Sequence, residues 1–202
     1  LTILVTMEDK KPKISCWQIN YQNGGLNEID IELIDIEKNI YQRLGGLNIS
    51  SNLERKKVVM IGLGSVGSTA AIQLAKSGIG EMTFVDPDII KMHNVVRHLC
   101  GLNDIGRKKV DAVAEKIMNI NPNIKINSIP KDCVEAYEEH KKAFKNTDAL
   151  IVSTDTSDSR SFINYLSVDL HIPSIHISLH DRARSGSVYR VLPKVTGCKQ
   201  CI

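Results

Sequence analysis

The stretch VVMIGLGSVGSTAAIQLAKSGIGEMTFVDPD, residues 58–88, decides the fold. Val58, Val59, Met60 and Ile61 form a short apolar run rich in β-branched residues, the composition of a buried strand. Gly62, Gly64 and Gly67 follow as G-x-G-x-x-G. Residues 68–77 then carry alanine, isoleucine and leucine at helical spacing, and residues 82–85 form a second apolar strand ending in Asp86. Strand, glycine turn, helix, strand and an acid about twenty residues on make up a nucleotide-binding fingerprint. Gly62 allows the tight turn out of the strand. Gly64 has no Cβ, so a phosphate can approach the backbone. Gly67 lets helix and strand pack closely. The helix start offers free N–H groups and a dipole that attract anions. Asp86 can accept hydrogen bonds from ribose hydroxyls. A purely structural glycine turn is the competing reading, and the fingerprint alone leaves NAD, FAD, SAM and ATP open.

The bulk numbers set the frame. A chain of 202 residues suits one sizeable domain, or a domain with an appendage, and buries roughly 70% of its unfolded surface. A net charge of +3 is too small to argue for nucleic acid or a membrane surface. No apolar run approaches the ~18 residues of a transmembrane helix, and no signal peptide is visible. The sequence begins at Leu1 rather than Met, so a fragment of a longer chain is the expectation. The five cysteines, Cys16, Cys100, Cys133, Cys198 and Cys201, are odd in number and scattered, which favours a reducing, cytoplasmic setting over a disulfide framework.

Residues 1–38 read differently from the rest. Segments 1–6, 14–19 and 29–36 are strand-like, with a turn signal at Asn23-Gly24-Gly25, so a small β-rich appendage or the end of an upstream domain is expected. Residues 39–56 form a connector with a helix cap near Ser50 and Ser51; Arg43, within it, reads on composition as a solvated charge. From residue 57 strands and helices alternate: helices over 108–119, 133–145 and 157–170, and strands over 124–129, 149–153, 172–177 and 186–192. The fold class is therefore α/β, a Rossmann-like, mostly parallel sheet with helices on both faces.

The polar residues behind the fingerprint come in a telling order. Asp88 follows Asp86; then come Asn94, Arg97 and His98, then Gly106 and Lys109, and then Thr154, Asp155 and Arg160 at the end of an expected strand. Strand carboxyl ends are where ligands bind in such sheets. Two cations beside the crevice suit a polyphosphate, and Asp155 suits Mg²⁺, which prefers carboxylate oxygen. Taken singly, Arg97 and Lys109 are surface charges. His93, His171, His176 and His180 show no tight ligand spacing and read as structural or surface residues, Met92 as core, and Cys100 and Cys133 as buried or incidental thiols.

Residues 57–201 resemble the ubiquitin-activating enzyme superfamily of ThiF/MoeB type. The resemblance rests on the glycine loop, Asp86-Pro87-Asp88, Asn94 to Arg97, Gly106 to Lys109, Asn121-Pro122, Thr154-Asp155 with Arg160, and Cys198 to Cys201, all in family order. It implies an ATP-dependent adenylyltransferase acting on the C-terminal carboxylate of a ubiquitin-like protein, a sulfur-carrier protein or a peptide, with release of pyrophosphate. By the same resemblance Gly62, Gly64, Ser65, Gly67, Asp86 and Asp88 bind the nucleotide, and Asn94, Arg97 and Lys109 engage phosphates. Asp155 places Mg²⁺, and Arg43 reaches into the site of a partner subunit within a two-fold dimer. His98 stands where many members carry glutamine. Cys198 and Cys201 are half of a zinc site, and four ligands are needed to close one. Without a second pair downstream, no stable zinc is expected. The rivals are an adenylation-dead scaffold half, against which Arg97, Lys109 and Asp155 argue, and an NAD(P)-dependent oxidoreductase, which leaves Asp88, Asn94, Arg97 and Lys109 unexplained.

Overall fold

The computed structural model describes residues 2–8, 11–19, 21, 24–31, 50–134, 139, 141, 144, 146–180 and 184–201. Two compact units are present, Leu1–Ile40 and Tyr41–Ile202.

The first unit is an antiparallel sheet of β1 (Thr2–Glu8), β2 (Lys11–Ile19) and β3 (Leu26–Ile29), in that order. Of the strand expected over 29–36, Ile29 closes β3, which begins at Leu26 just after Gly24 (φ +66°) and pairs with β2 from Ile19↔Leu26 to Cys16↔Ile29. Residues 30 and 31 are not strand, and 32–36 lie outside the described residues.

Among the described residues of the second unit, the short helix α1 (Ser50–Leu53) comes first and the expected alternation follows. Its strands are β4 (Lys57–Ile61), β5 (Glu81–Val85), β6 (Lys125–Ile129), β7 (Ala149–Val152), β8 (Ser174–His180) and β9 (Ser185–Val191). Their order in the sheet is β6-β5-β4-β7-β8-β9, with every pair parallel except β8–β9. The reversal of strand order between β5 and β7, on either side of β4, is a topological switch point, and a crevice opens outside the strand ends there. The described helices are α2 (Ser65–Lys76), α3 (Lys109–Met118) and α4 (Ser157–Asp169). Most of the helix expected over 133–145 lies outside the described residues.

Side-chain alternation on the central strands builds two cores. Val58, Met60, Met82, Phe84 and Ile151 pack with Ala71, Ala75, Val110, Val113 and Ile117 of α2 and α3. Val59, Ile61, Val85, Leu150 and Val152 pack with Ile163 and Leu166 of α4. The continuous apolar character of β4 follows, because both of its faces are covered. Asn121 supports the first core: its side-chain N–H donates to the Ala75 carbonyl at 3.3 Å, tying the end of α3 to the end of α2.

His176 sits inside β8, fully buried and stacked on Tyr189 of β9 with ring centroids 4.7 Å apart. Its Nε2 pairs with the Ser174 hydroxyl at 3.1 Å. Burial, then the positive charges of Lys199 and Arg160, push its pKa down to about 4. The sign follows: an imidazole that is neutral when folded and titrates near 6.5 when unfolded leaves stability whole above 6.5 and erodes it as pH falls from there towards 4. The loss by pH 4 is expected to reach about 3 kcal/mol at most. Denaturant midpoints measured across that range should decline steeply for the wild type and less for His176→Gln.

Candidate functional site

The site is built from the glycine loop outward. Gly62 has φ +85°, and a Cβ there would stand 2.9 Å from the Ser153 carbonyl. A Cβ on Gly67 would lie 2.1 Å from the Gly62 carbonyl oxygen and 2.4 Å from Ser153 Oγ. Both glycines are thus demanded by the protein's own packing, since β7 passes directly behind the loop. Gly64 differs. Its backbone is in ordinary extended territory (φ −70°, ψ −160°), and a Cβ there would meet nothing within 4 Å. The fold does not require glycine at 64; the open space in front of it belongs to the cleft.

The loop is held by hydrogen bonds from several elements. Gly62 N–H donates to the Val85 carbonyl at 2.9 Å, and Ser153 Oγ donates to the Gly62 carbonyl at 2.8 Å. Leu63 N–H donates to Asp86 Oδ2 at 2.7 Å, and the Leu63 carbonyl meets His98 Nε2 at 2.6 Å. Ser65 Oγ donates to the Arg97 carbonyl at 2.7 Å. Gly64 is the N-cap of α2 and Gly67 lies in its first turn, so the helix begins at Ser65, three residues before its apolar periodicity does.

The two acids after β5 have different roles. Asp86 is buried and accepts from Leu63 N–H and, at 2.9 Å, from Asp88 N–H. A carboxylate has about four acceptor sites, so capacity for a ribose hydroxyl remains. Asp88 is open to solvent and takes Lys109 Nζ at 2.7 Å, which also stands 3.6 Å from Asp86. Lys109 reaches them because its segment folds back on the acids: Lys109 N–H donates to the Asp88 carbonyl, and Gly106 N–H to the Ile90 carbonyl, both at 2.9 Å. Beneath that segment Asp104 is almost fully buried, bound by Gly101 N–H, Arg107 and Lys116. Burial alone would raise its pKa, but these donors outweigh it and hold the carboxyl below the ordinary range.

Asn94 is buried and accepts from Lys91 N–H at 2.8 Å, shaping the short turn Met92–Asn94. That turn leads to Arg97, an exposed cation for whose guanidinium no carboxylate partner occurs among the described residues. At the end of β7, Arg160 donates to the Thr154 carbonyl at 2.7 Å and the Asp155 carbonyl at 3.1 Å. Its side chain therefore staples the loop that presents Asp155, whose carboxylate is exposed.

These residues meet in one cleft of about 570 Å³ at the switch point. Gly62, Gly64, Ser65, Asp86, Asp88, Asn94, Arg97, Lys109 and Asp155 all line it. Gly67 lies behind the loop rather than on the cleft wall. Arg43 lies outside the described residues. Cys198 and Cys201 stand away from the cleft with their sulfurs 3.6 Å apart. That spacing matches two corners of a tetrahedron with Zn–S legs of about 2.3 Å, and two ligands leave it open. Among the described residues no group of three or more histidines, cysteines and acids could hold a metal. Five further residues of the cleft were not assigned to it by the sequence. Ser153 carries no motif of its own. His98 stood only as a departure from a pattern. Lys131, Asp132 and Cys133 line the cleft just past β6, a strand carboxyl end at which the rule for such sheets points to ligands.

The fold and cleft define a Rossmann-like α/β domain whose glycine loop lines a cleft at the switch point. More specifically, the chain belongs to the ThiF family, whose model matches residues 37–202. Among its relatives is the DNA damage tolerance protein RHC31 of Saccharomyces cerevisiae, 32% identical over 149 residues, 73% of this chain and 41% of that protein. Ubiquitin-like modifier-activating enzyme 5 of Aedes aegypti is 28% identical over 79% of this chain and 43% of its own length. The probable molybdopterin-synthase adenylyltransferase of Porphyra purpurea is 36% identical over 62% of this chain and 32% of its own. The crystal structure of E. coli MccB with ATP shares the fold, with TM-score 0.72 and 24% identity over 81% of this chain and 52% of that one. The chain thus spans about half the length, or less, of the proteins it matches.

The two close-packed glycines and the open one should part company experimentally. Gly67→Ala is expected to lower stability by about 2 kcal/mol or more, as overpacking does. Gly64→Ala should cost no more than about 1 kcal/mol, since nothing collides. Denaturant unfolding of both variants checks this.

Proposed function

We propose that this chain binds Mg-ATP in the cleft and transfers its AMP moiety to the C-terminal carboxylate of a ubiquitin-like protein, a sulfur-carrier protein or a peptide. The observation that carries the reading is Arg97, a cation without a carboxylate partner among the described residues, sharing one cleft with the open N-terminus of α2. That pairing suits a polyanion bound at the glycine loop and running towards Arg97. The empty space at Gly64 fits phosphate against the backbone. The donor set also fits magnesium: Asp155 offers an exposed carboxylate, and Mg²⁺ is commonly held by one or two carboxylates together with substrate phosphates. When bound, the ion supplies charge neutralisation to the phosphates.

The chain's own groups then have defined tasks. Asp86 orients the ribose while its remaining valences hold Leu63 and Asp88. Lys109, beside the acid pair, and Arg97, after the Met92–Asn94 turn, both line the cleft and bring positive charge to the phosphates. An oxygen of the acceptor carboxylate bonds to the α-phosphorus as the bond from that phosphorus to the bridging oxygen breaks. Pyrophosphate leaves with the electron pair. No protein nucleophile is required, since positioning and charge stabilisation lower the barrier. Arg43 belongs to the same proposal as a residue supplied across a two-fold dimer, in the manner of an arginine finger.

ATP–pyrophosphate exchange with candidate acceptor tails tests the reading. Wild type should exchange in the presence of its acceptor. Arg97→Ala and Asp155→Ala should each lose about 10²-fold or more. Asp155→Ala should still bind ATP weakly; wild-type turnover by this variant would discard the magnesium assignment. Mixing Arg43→Ala with Asp155→Ala subunits should restore part of the activity, and the absence of any recovery would count against a role in trans.

A further inference from the structure

The imidazole of His98 stands between two backbone groups. Cys100 N–H donates to its Nδ1 at 3.1 Å, so that nitrogen is the acceptor and the ring proton sits on Nε2. Nε2 in turn faces the Leu63 carbonyl at 2.6 Å and donates to it. Asp86 holds the Leu63 N–H on the preceding peptide plane. Two successive planes of the glycine loop are therefore pinned, one by an acid and one by a histidine.

The second pin matters more than an ordinary turn contact. A peptide plane rotates as a unit, so tying the Leu63 carbonyl also sets the direction of the Gly64 N–H. Gly64 is the loop position with the least restraint of its own: it has no side chain, and nothing stands within 4 Å of where a Cβ would be.

We infer that His98 is a positioning residue for nucleotide binding: neutral, with its proton on Nε2, it locks the Leu63–Gly64 peptide in the orientation that receives phosphate. A second proton would go to Nδ1, place two donors face to face at Cys100, and release the turn from the loop. The surroundings favour the neutral form. Burial lowers the His98 pKa, the Leu63 carbonyl raises it, Lys109 lowers it, Asp86 raises it and Arg97 lowers it, with a net shift below 6.5. The Cys100 thiol beside it is buried and pushed up to about 11, so it contributes no charge near neutrality. The α2 face carries no charged group near it, since the one charge on that helix, Lys76, is at its far end. Affinity should be whole above pH 6.5 and fall as the pH drops through the lowered pKa.

The inference rests on the reading that nucleotide phosphates occupy the glycine loop. Its test is the dissociation constant of Mg²⁺ with the α,β-methylene analogue of ATP, measured by calorimetry for wild type, His98→Leu and His98→Gln. Gln can both donate and accept, so His98→Gln should stay within about threefold of wild type near neutral pH. His98→Leu should bind about tenfold more weakly, the scale of one lost hydrogen bond to a half-buried carbonyl. In turnover the same variant should raise the KM for ATP more than it lowers kcat. Between about pH 7.5 and about pH 5, wild-type affinity should fall and that of His98→Gln should fall less. A long-range ¹H–¹⁵N spectrum of the ligand-free protein should show the His98 proton on Nε2. Equal affinity of His98→Leu and wild type, identical pH profiles for wild type and His98→Gln, or a proton on Nδ1 would each overturn the inference while leaving the nucleotide reading intact. Should His98→Leu fail to fold by circular dichroism, the His98→Gln pH profile and the spectrum decide. A wild type that does not bind the analogue removes the nucleotide reading, and the inference with it.

Discussion

The cleft depends on the close contact between the glycine loop and the end of β7. Gly67 packs so tightly on the Gly62 carbonyl and Ser153 that no side chain fits at 67, and Gly62 turns back on itself at φ +85° against the same strand. That contact brings the N-terminus of α2 to the edge of the sheet at the switch point. The rest of the site is then attached to this loop from elsewhere in the chain: Val85 and Asp86 from β5 and its end, Ser65 to the Arg97 carbonyl, and His98 on Leu63. A change in any of these would alter the same few peptide planes. The loop is therefore both a packing feature and a wall of the cleft.

Charge in the cleft is arranged by the same principle of fixing backbone first. Asp86 and Asp104 are buried acids whose oxygens are occupied by N–H groups and cations, so they organise the loops rather than meet solvent. Arg160 does the equivalent from the cationic side by holding the 154–155 carbonyls. Lys109 bridges Asp86 and Asp88, Asp155 exposes its carboxylate, and the Arg97 guanidinium has no carboxylate partner among the described residues. An anionic ligand in the cleft would meet the N-terminus of α2 and that guanidinium.

Much of this is legible in the sequence, for identifiable reasons. Val58 to Ile61 and Met82 to Val85 are apolar on both faces because both faces are covered, which makes parallel strands stand out. The acid after β5 is readable because its distance from the glycines is set by one helix and one strand. β3 starts at Leu26, ahead of the alternating segment that begins at 29, because its start depends on hairpin register with β2, which local alternation does not carry. The full burial of His176 is not legible in the sequence, because a buried histidine becomes tolerable only when a stacking ring and a hydroxyl are at hand: Tyr189 is supplied by strand pairing and Ser174 by the same strand two residues back.

By itself the sequence determined the alternation of strands and helices, the nucleotide fingerprint and the ordered set of Asp86, Asp88, Asn94, Arg97, Lys109 and Asp155. These follow from local periodicity and spacing, which a linear chain carries explicitly. The tertiary structure alone decided which of those residues face the cleft and which face one another. Gly64 is open whereas Gly67 is walled in; Lys109 is engaged with Asp88 whereas Arg97 is not; and His98, a mere departure from a pattern in sequence, closes on a carbonyl thirty-five positions away. The physical reason is that hydrogen bonds and close contacts between distant segments exist only once the sheet order has brought β4, β5 and β7 side by side.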